Sequence, residues 1–162
     1  MPVILGVDVG GVLIARVEGD ADTSFFGKRF LETPAVPGAI EAVARLHRGR
    51  FRDAVWIVSK CGEQIEARTR EWLAHHGFHE STGIPPERLR FCRRRADKAP
   101  ICDDLGITHF VDDRLEVLGY LARVPHRILF RPEEDEVRRH ARHVESVVRC
   151  EDWEEVVRAC EA

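Results

Sequence analysis

Val3-Ile4-Leu5-Gly6-Val7-Asp8-Val9-Gly10-Gly11-Val12-Leu13 is an apolar run that closes on one carboxylate and two glycines. A strand buried on both faces of a parallel sheet reads as such a continuous apolar segment. An Asp at its C-terminal tip stands where open α/β sheets bind ligands. Glycines directly after it let the main chain turn sharply and approach a ligand closely.

Further strands are predicted over 54–59 (AVWIVS), 89–92, 109–112 (HFVD), 127–130 and 146–149. Helical periodicity fills the gaps. One helix opens at Pro37-Gly38 and carries Ile40, Val43, Ala44 and Leu46. The next spans 63–76, with Ile65, Ala67, Trp72 and Leu73 as its inner face and Gly77 as its stop. Helices follow over 97–105 and 114–123, the latter carrying Leu115, Leu118 and Leu121. A polar surface helix is predicted over 133–144, and a last one over 152–160 with Trp153, Val156 and Val157 inward. Alternating strands and helices predict an α/β fold, a three-layer Rossmann-like parallel sheet with helices on both faces. One segment, 16–36, escapes the pattern and contains Phe25, Phe26 and Phe30. It leaves from the Asp8 turn, so it is expected to flank the site as a loop or minimal cap insertion.

The 162 residues fit a single domain, 1–162, with room for a core. A net charge of −3 gives no global field toward nucleic acid or membrane. No apolar run is long enough to span a bilayer, and the first residues lack a secretory pattern, so a cytoplasmic protein is expected. Five cysteines with no C-x-x-C pair argue for reduced thiols rather than zinc or disulfides. The scattered histidines have no acidic or cysteine partner at ligand spacing, so they are expected to face solvent or pack partly. The densest basic run is Arg88, Arg90, Arg93, Arg94, Arg95 and Lys98. It is read first as a solvated face. Nucleic acid is a minor alternative, because the run shows no aromatic pattern suited to stacking on single strands.

Strand tips collect Asp8, Ser59, Asp112 and Asp113, and Lys98 opens the helix before the fourth of them. Clustered carboxylates repel one another unless a cation sits among them, and Mg2+ is the hard, oxygen-loving occupant they suit. The rest of the site would then face a phosphate, with Ser59 and Lys98 on its oxygens. Asp112-Asp113 has a simpler reading as an N-cap. Asp103-Asp104 fall mid-helix and read as surface.

In this order, VILGVDVGGVL, VWIVSKCG, ADKAPICDDLGI and THFVDDR resemble the four motifs of the haloacid dehalogenase superfamily, nearest its nucleotidase and small-phosphatase members. The resemblance covers nearly the whole chain. It implies Asp8 as a nucleophile that forms an aspartyl-phosphate. It implies Ser59 and Lys98 as catalytic partners on the phosphoryl group, with Gly11 and Lys60 also binding phosphate. Mg2+ would be held by Asp8, Asp112, Asp113 and the main-chain carbonyl of Gly10. One departure stands out. Phosphatases of that family carry a second Asp two residues after the nucleophile, as general acid, and here that position is Gly10. Losing a general acid costs on the order of 10²–10⁴ in rate. Three readings follow: substrates with good leaving groups, such as acyl or aryl phosphates; a proton from Lys60, His47 or segment 16–36; or phosphate binding without turnover. The expected partner is a phosphorylated substrate, a small molecule or an exposed macromolecular phosphate. A homo-oligomer whose neighbour serves as lid is a further expectation. Gly6-Val7-Asp8-Val9-Gly10-Gly11 also resembles the first phosphate loop of sugar kinases, but those need two domains and roughly twice this length.

Overall fold

The computed structural model describes residues 2–16 and 27–162. Its six strands are β1 (Leu5–Val7), β2 (Val55–Lys60), β3 (Leu89–Cys92), β4 (His109–Asp112), β5 (His126–Phe130) and β6 (Val148–Cys150). All pair in parallel, in the order β3-β2-β1-β4-β5-β6. The chain winds outward from β1 in one direction, then returns and winds outward in the other. The reversal falls between β1 and β4, the crevice where such sheets bind ligands. The predicted α/β class is therefore the observed one.

The helices are α1 (Ala39–Arg48), α2 (Glu63–His75), α3 (Phe78–Thr82), α4 (Lys98–Leu105), α5 (Leu115–Tyr120), α6 (Glu134–Arg139) and α7 (Trp153–Glu161). Strand alternation divides the core into two layers. Leu5, Val7, Val55, Ile57, Val111, Ile128 and Phe130 face Val43, Leu46, Trp72, Phe78, Trp153 and Val156. Val58, Phe110 and Leu129 face Cys102, Leu115 and Leu118 on the other side. Gly6 belongs to that second layer. A β-carbon on it would lie 2.5 Å from the Phe110 ring, so glycine lets β1 and β4 share that space. Both fully buried tryptophans donate their indole N–H to loop carbonyls: Trp72 to Thr33 and Trp153 to Val12, each at 2.9 Å. These bonds tie α7 to the turn before segment 16–36 and α2 to the last residues of that segment.

Several expectations need correction. Ala67 is exposed, because the α2 face turned to the core is Thr69, Trp72 and Leu73. Helix α3 was not foreseen; five residues between two glycines carry too little periodicity to read. The 133–144 segment is not one helix but α6 followed by a 3-10 stretch over Ala141–Ser146. Nor is α6 wholly a surface element. Glu136 is buried, and its carboxylate accepts from the main-chain N–H of Leu115 at 2.8 Å and Glu116 at 2.9 Å. It caps α5 from 20 residues away, satisfying two otherwise orphan donors with a charged acceptor. Replacing Glu136 with Ala should cost about 1–3 kcal/mol. Urea unfolding would read the loss, and an unchanged midpoint would show that the cap contributes nothing. Two histidines, His47 and His109, are buried rather than solvent-facing. His109 stacks on His126, and burial lowers its pKa to about 4.

Of segment 16–36, residues 17–26, including Phe25 and Phe26, lie outside the described residues. Its ends are joined: Ala15 N–H donates to Pro34 O at 2.9 Å and Val36 N–H to Leu13 O at 2.8 Å. The segment therefore leaves and returns beside the Asp8 turn. No helix among the described residues is long and apolar enough to cross a membrane.

Candidate active site

Register builds the site. Val7 pairs with Val111 across β1 and β4, so the next residues, Asp8 and Asp112, stand side by side at adjacent strand tips. Val7 also pairs with Ile57, which carries Ser59 to the same edge on the other side of Asp8. After Asp8 the chain folds tightly, with Leu13 and Ile14 N–H both returning to Val9 O and Gly11 N–H to Ile14 O. Gly11 sits at φ +77°, and a β-carbon there would lie 2.5 Å from Asp113 Oδ2. Only glycine allows this turn to lie against that carboxylate.

Lys98, the first residue of α4, reaches into the gap between the strand tips. Its Nζ donates to Asp8 Oδ1 at 3.0 Å and Asp112 Oδ2 at 2.8 Å, and its side chain is 2% exposed. Burial alone would push this ammonium down, but Asp112 and Asp8 outweigh it and hold its pKa above the ordinary lysine value. Asp112 accepts a second bond at Oδ1, from Arg114 N–H at 3.0 Å, which fixes the turn ahead of α5; it is not the cap its simpler reading supposed, since the first N–H groups of α5 go to Glu136. The turn and the lysine contact use different oxygens of one carboxylate.

Asp8, Asp112 and Asp113 are all buried, with carboxylate oxygens within 4.8 Å of one another. The strain of that crowding is visible at Asp113. Burial, then the charges of Asp8 and Asp112, drive its pKa well above the carboxylate range, although the Arg16 guanidinium opposes them. Asp112 is raised too, by burial first and then by Asp8. Arg16 pairs with Asp113 and, at 2.6 Å, with Glu133. Three hard oxygen donors short of positive charge fit a divalent cation such as Mg2+.

These residues line one cavity of about 480 Å³, within the range of small-molecule sites. The cavity contains every site residue expected from the sequence: Asp8, Gly10, Gly11, Ser59, Lys60, Lys98, Asp112 and Asp113. Ser59 is buried at its wall and Lys60 is exposed on its rim. His47 is not there. It lies in α1, with Nδ1 2.9 Å from Thr82 O and its ring against Gly83, so it is removed as a proton donor. Cys61 is in the cavity, but burial raises its thiol pKa, which keeps it protonated rather than nucleophilic.

Sequence reasoning passed over Arg16, Arg95 and Arg114, which also line the cavity, and its apolar wall of Ile14, Ile65 and Val117. Arg114 ends the DDR stretch and Arg95 belongs to the basic run, so both lay in motifs already noted. What the sequence withheld was their direction. The rest of the basic run is occupied elsewhere. Arg93 pairs with Glu66 and Arg94 with Asp97, while Arg88 and Arg90 lie over the Trp56 ring at 5.0 and 4.8 Å.

No family model matches the chain, and no curated protein does. Among solved structures it is similar to D,D-heptose 1,7-bisphosphate phosphatase from Burkholderia thailandensis. Identity is 14%, the TM-score is 0.54, and 96% of each chain is covered. That likeness shows a shared fold over nearly the full length.

Proposed function

We propose that this chain is a Mg2+-dependent phosphohydrolase of the haloacid dehalogenase type, acting through an aspartyl-phosphate on Asp8. Support comes first from the convergence of Asp8, Ser59, Lys98, Asp112 and Asp113 on one cavity at the β1–β4 reversal. The fold shared with a solved phosphatase is consistent with it.

The Asp8 carboxylate is the nucleophile. Lys98 fixes its rotamer through Oδ1 and supplies positive charge where phosphoryl charge gathers. Ser59 donates its hydroxyl to a phosphoryl oxygen, and the Gly11 turn lets the main chain come close to the anion. Asp8, Asp112, Asp113 and the Gly10 carbonyl would hold Mg2+, whose charge screens the phosphate from the carboxylates. Attack by Asp8 forms an acyl phosphate and expels the leaving group as its anion; water then cleaves the acyl phosphate, releasing inorganic phosphate and regenerating the carboxylate. Gly10 gives the leaving oxygen no proton. Turnover therefore favours phenols and carboxylic acids, which leave without one.

Gly10 also favours a second reading, a phosphate-binding protein that does not turn over. Assays on p-nitrophenyl phosphate and acetyl phosphate with Mg2+ separate the two. Hydrolysis that disappears in Asp8→Asn, with beryllium fluoride bonded to the Asp8 carboxylate in a soaked crystal, is the expected result. Silence on both substrates, with Mg2+ binding intact, would favour the binding protein.

A further inference from the structure

Five cationic side chains line the cavity, against three carboxylates. Lys98 is committed to Asp8 and Asp112, and Arg16 to Asp113 and Glu133. Arg95 and Arg114 have only a thin claim on their neighbours. They share one carboxylate, Glu116, at 3.5 and 3.9 Å, both too long for a good hydrogen bond. His140 approaches the same oxygen at 3.9 Å. Arg114 Nε is buried and has no hydrogen-bond partner among the described residues. Each guanidinium offers five donors in a fixed fork. Two half-buried arginines that line one cavity thus leave most of their donors unused among the described residues.

We infer that the cavity takes a small phosphate ester bearing a second anionic group, a phosphate or a carboxylate, and that Arg95 and Arg114 grip this second group. The inference rests on the phosphohydrolase reading and narrows its substrate class. With a divalent cation bound, the five cationic side chains and the ion outweigh the three carboxylates and one phosphate dianion by two positive charges. A second anion matches them, and it does so bidentately, in the geometry that guanidinium forks favour. The apolar side chains of Ile14, Ile65 and Val117 line the same space and suit the carbon skeleton joining the two anions. Arg93 and Arg94, the outward arginines next to the cavity, are paired with Glu66 and Asp97, which favours a small ligand over a long polyanion.

Phenyl phosphate and 1,4-phenylene bisphosphate test this directly, because both have phenolic leaving groups. With Mg2+, kcat/KM for the bisphosphate should exceed that for phenyl phosphate by about tenfold or more, mostly through KM, given the strength of charged hydrogen bonds. Arg95→Gln and Arg114→Gln should each shrink that ratio, and the double variant should bring it near unity. A wild-type ratio near unity, or a ratio untouched by both substitutions, overturns the proposal while leaving the phosphohydrolase standing. Absence of turnover on either substrate overturns the phosphohydrolase instead. The subsite is then read by calorimetric titration with phenylphosphonate and 1,4-phenylene bisphosphonate. Tighter binding of the latter, by about tenfold and dependent on Arg95 and Arg114, supports the second anion subsite. Equal binding of the two overturns it.

Discussion

Gly10→Asp should raise hydrolysis of alkyl phosphates by on the order of 10²–10⁴-fold, while aryl phosphates gain far less. The expectation has a steric and a chemical half. Sterically, nothing among the described residues lies within 4 Å of a β-carbon built on Gly10, and the residue is exposed on the cavity that Asp8 lines. Its backbone is not in the left-handed region, so a side chain enters without strain. Gly11 is the opposite case, since a β-carbon there meets Asp113. Of the two adjacent glycines, one is required by the fold and the other is not. Chemically, if Asp8 is the nucleophile as proposed, a carboxyl group two residues past it would stand beside the bond that breaks. It can protonate an alkoxide, which is a poor leaving group. A phenolate leaves unaided, so the two substrate classes should respond differently. The assay compares glycerol phosphate with p-nitrophenyl phosphate in wild type and Gly10→Asp, with Asp8→Asn added to show that any gain runs through Asp8. A variant that folds and binds Mg2+ but gains nothing on the alkyl ester would place the missing proton donor elsewhere.

The steric freedom at Gly10 bears on how the sequence should be read. The strand tips were legible because β1, β2 and β4 are buried on both faces, which forces long apolar runs that stop at the ligand edge. Asp8, Ser59 and Asp112 could therefore be located without coordinates. Lys98 was legible only through their company, since a lysine opening a helix is otherwise a poorly placed cation. Glu136 was not legible. It lies in a run of charged residues, and what buries it is a pair of unsatisfied N–H groups on α5, far away along the chain. Arg95 and Arg114 fail in a related way. An arginine side chain is long enough to point outward or into the cavity, and local pattern does not choose between them. Arg94 finds Asp97 three residues on and stays outside, whereas Arg95 finds Glu116 on another element. The apolar skeleton is written in periodicity; the polar contacts are decided by tertiary neighbours.

Lys98→Met is expected to be the most damaging single change in both stability and turnover. Lys98 is a buried ammonium held by two carboxylates, with Nζ over the Phe110 ring, 5.5 Å from its centroid. Methionine keeps most of the volume and removes the charge. Breaking a buried ion pair by deleting one partner costs about 3–5 kcal/mol, because the remaining charge stays desolvated. The sign of the pH dependence follows from Asp112. Its folded pKa already lies above the unfolded value, so ionised Asp112 costs stability at neutral pH. Without Lys98 that penalty deepens, and it is relieved as pH falls and the carboxylate takes up a proton. The stability deficit of Lys98→Met against wild type should thus be largest near pH 8 and shrink toward pH 5, as read from urea midpoints. Catalysis should fall by on the order of 10²–10³ in kcat, the usual effect of losing one preorganised electrostatic donor. Lys98→Arg should not rescue it, because a planar fork does not fit a slot built for a compact ammonium with two acceptors at 2.8 and 3.0 Å. Asp112→Asn in the Lys98→Met background should recover part of the stability but none of the turnover, since it removes the stranded charge together with a proposed metal ligand. A deficit that stays constant across pH would mean that Lys98 contributes by packing alone, and that the repulsion among the strand-tip carboxylates is offset by something other than its charge.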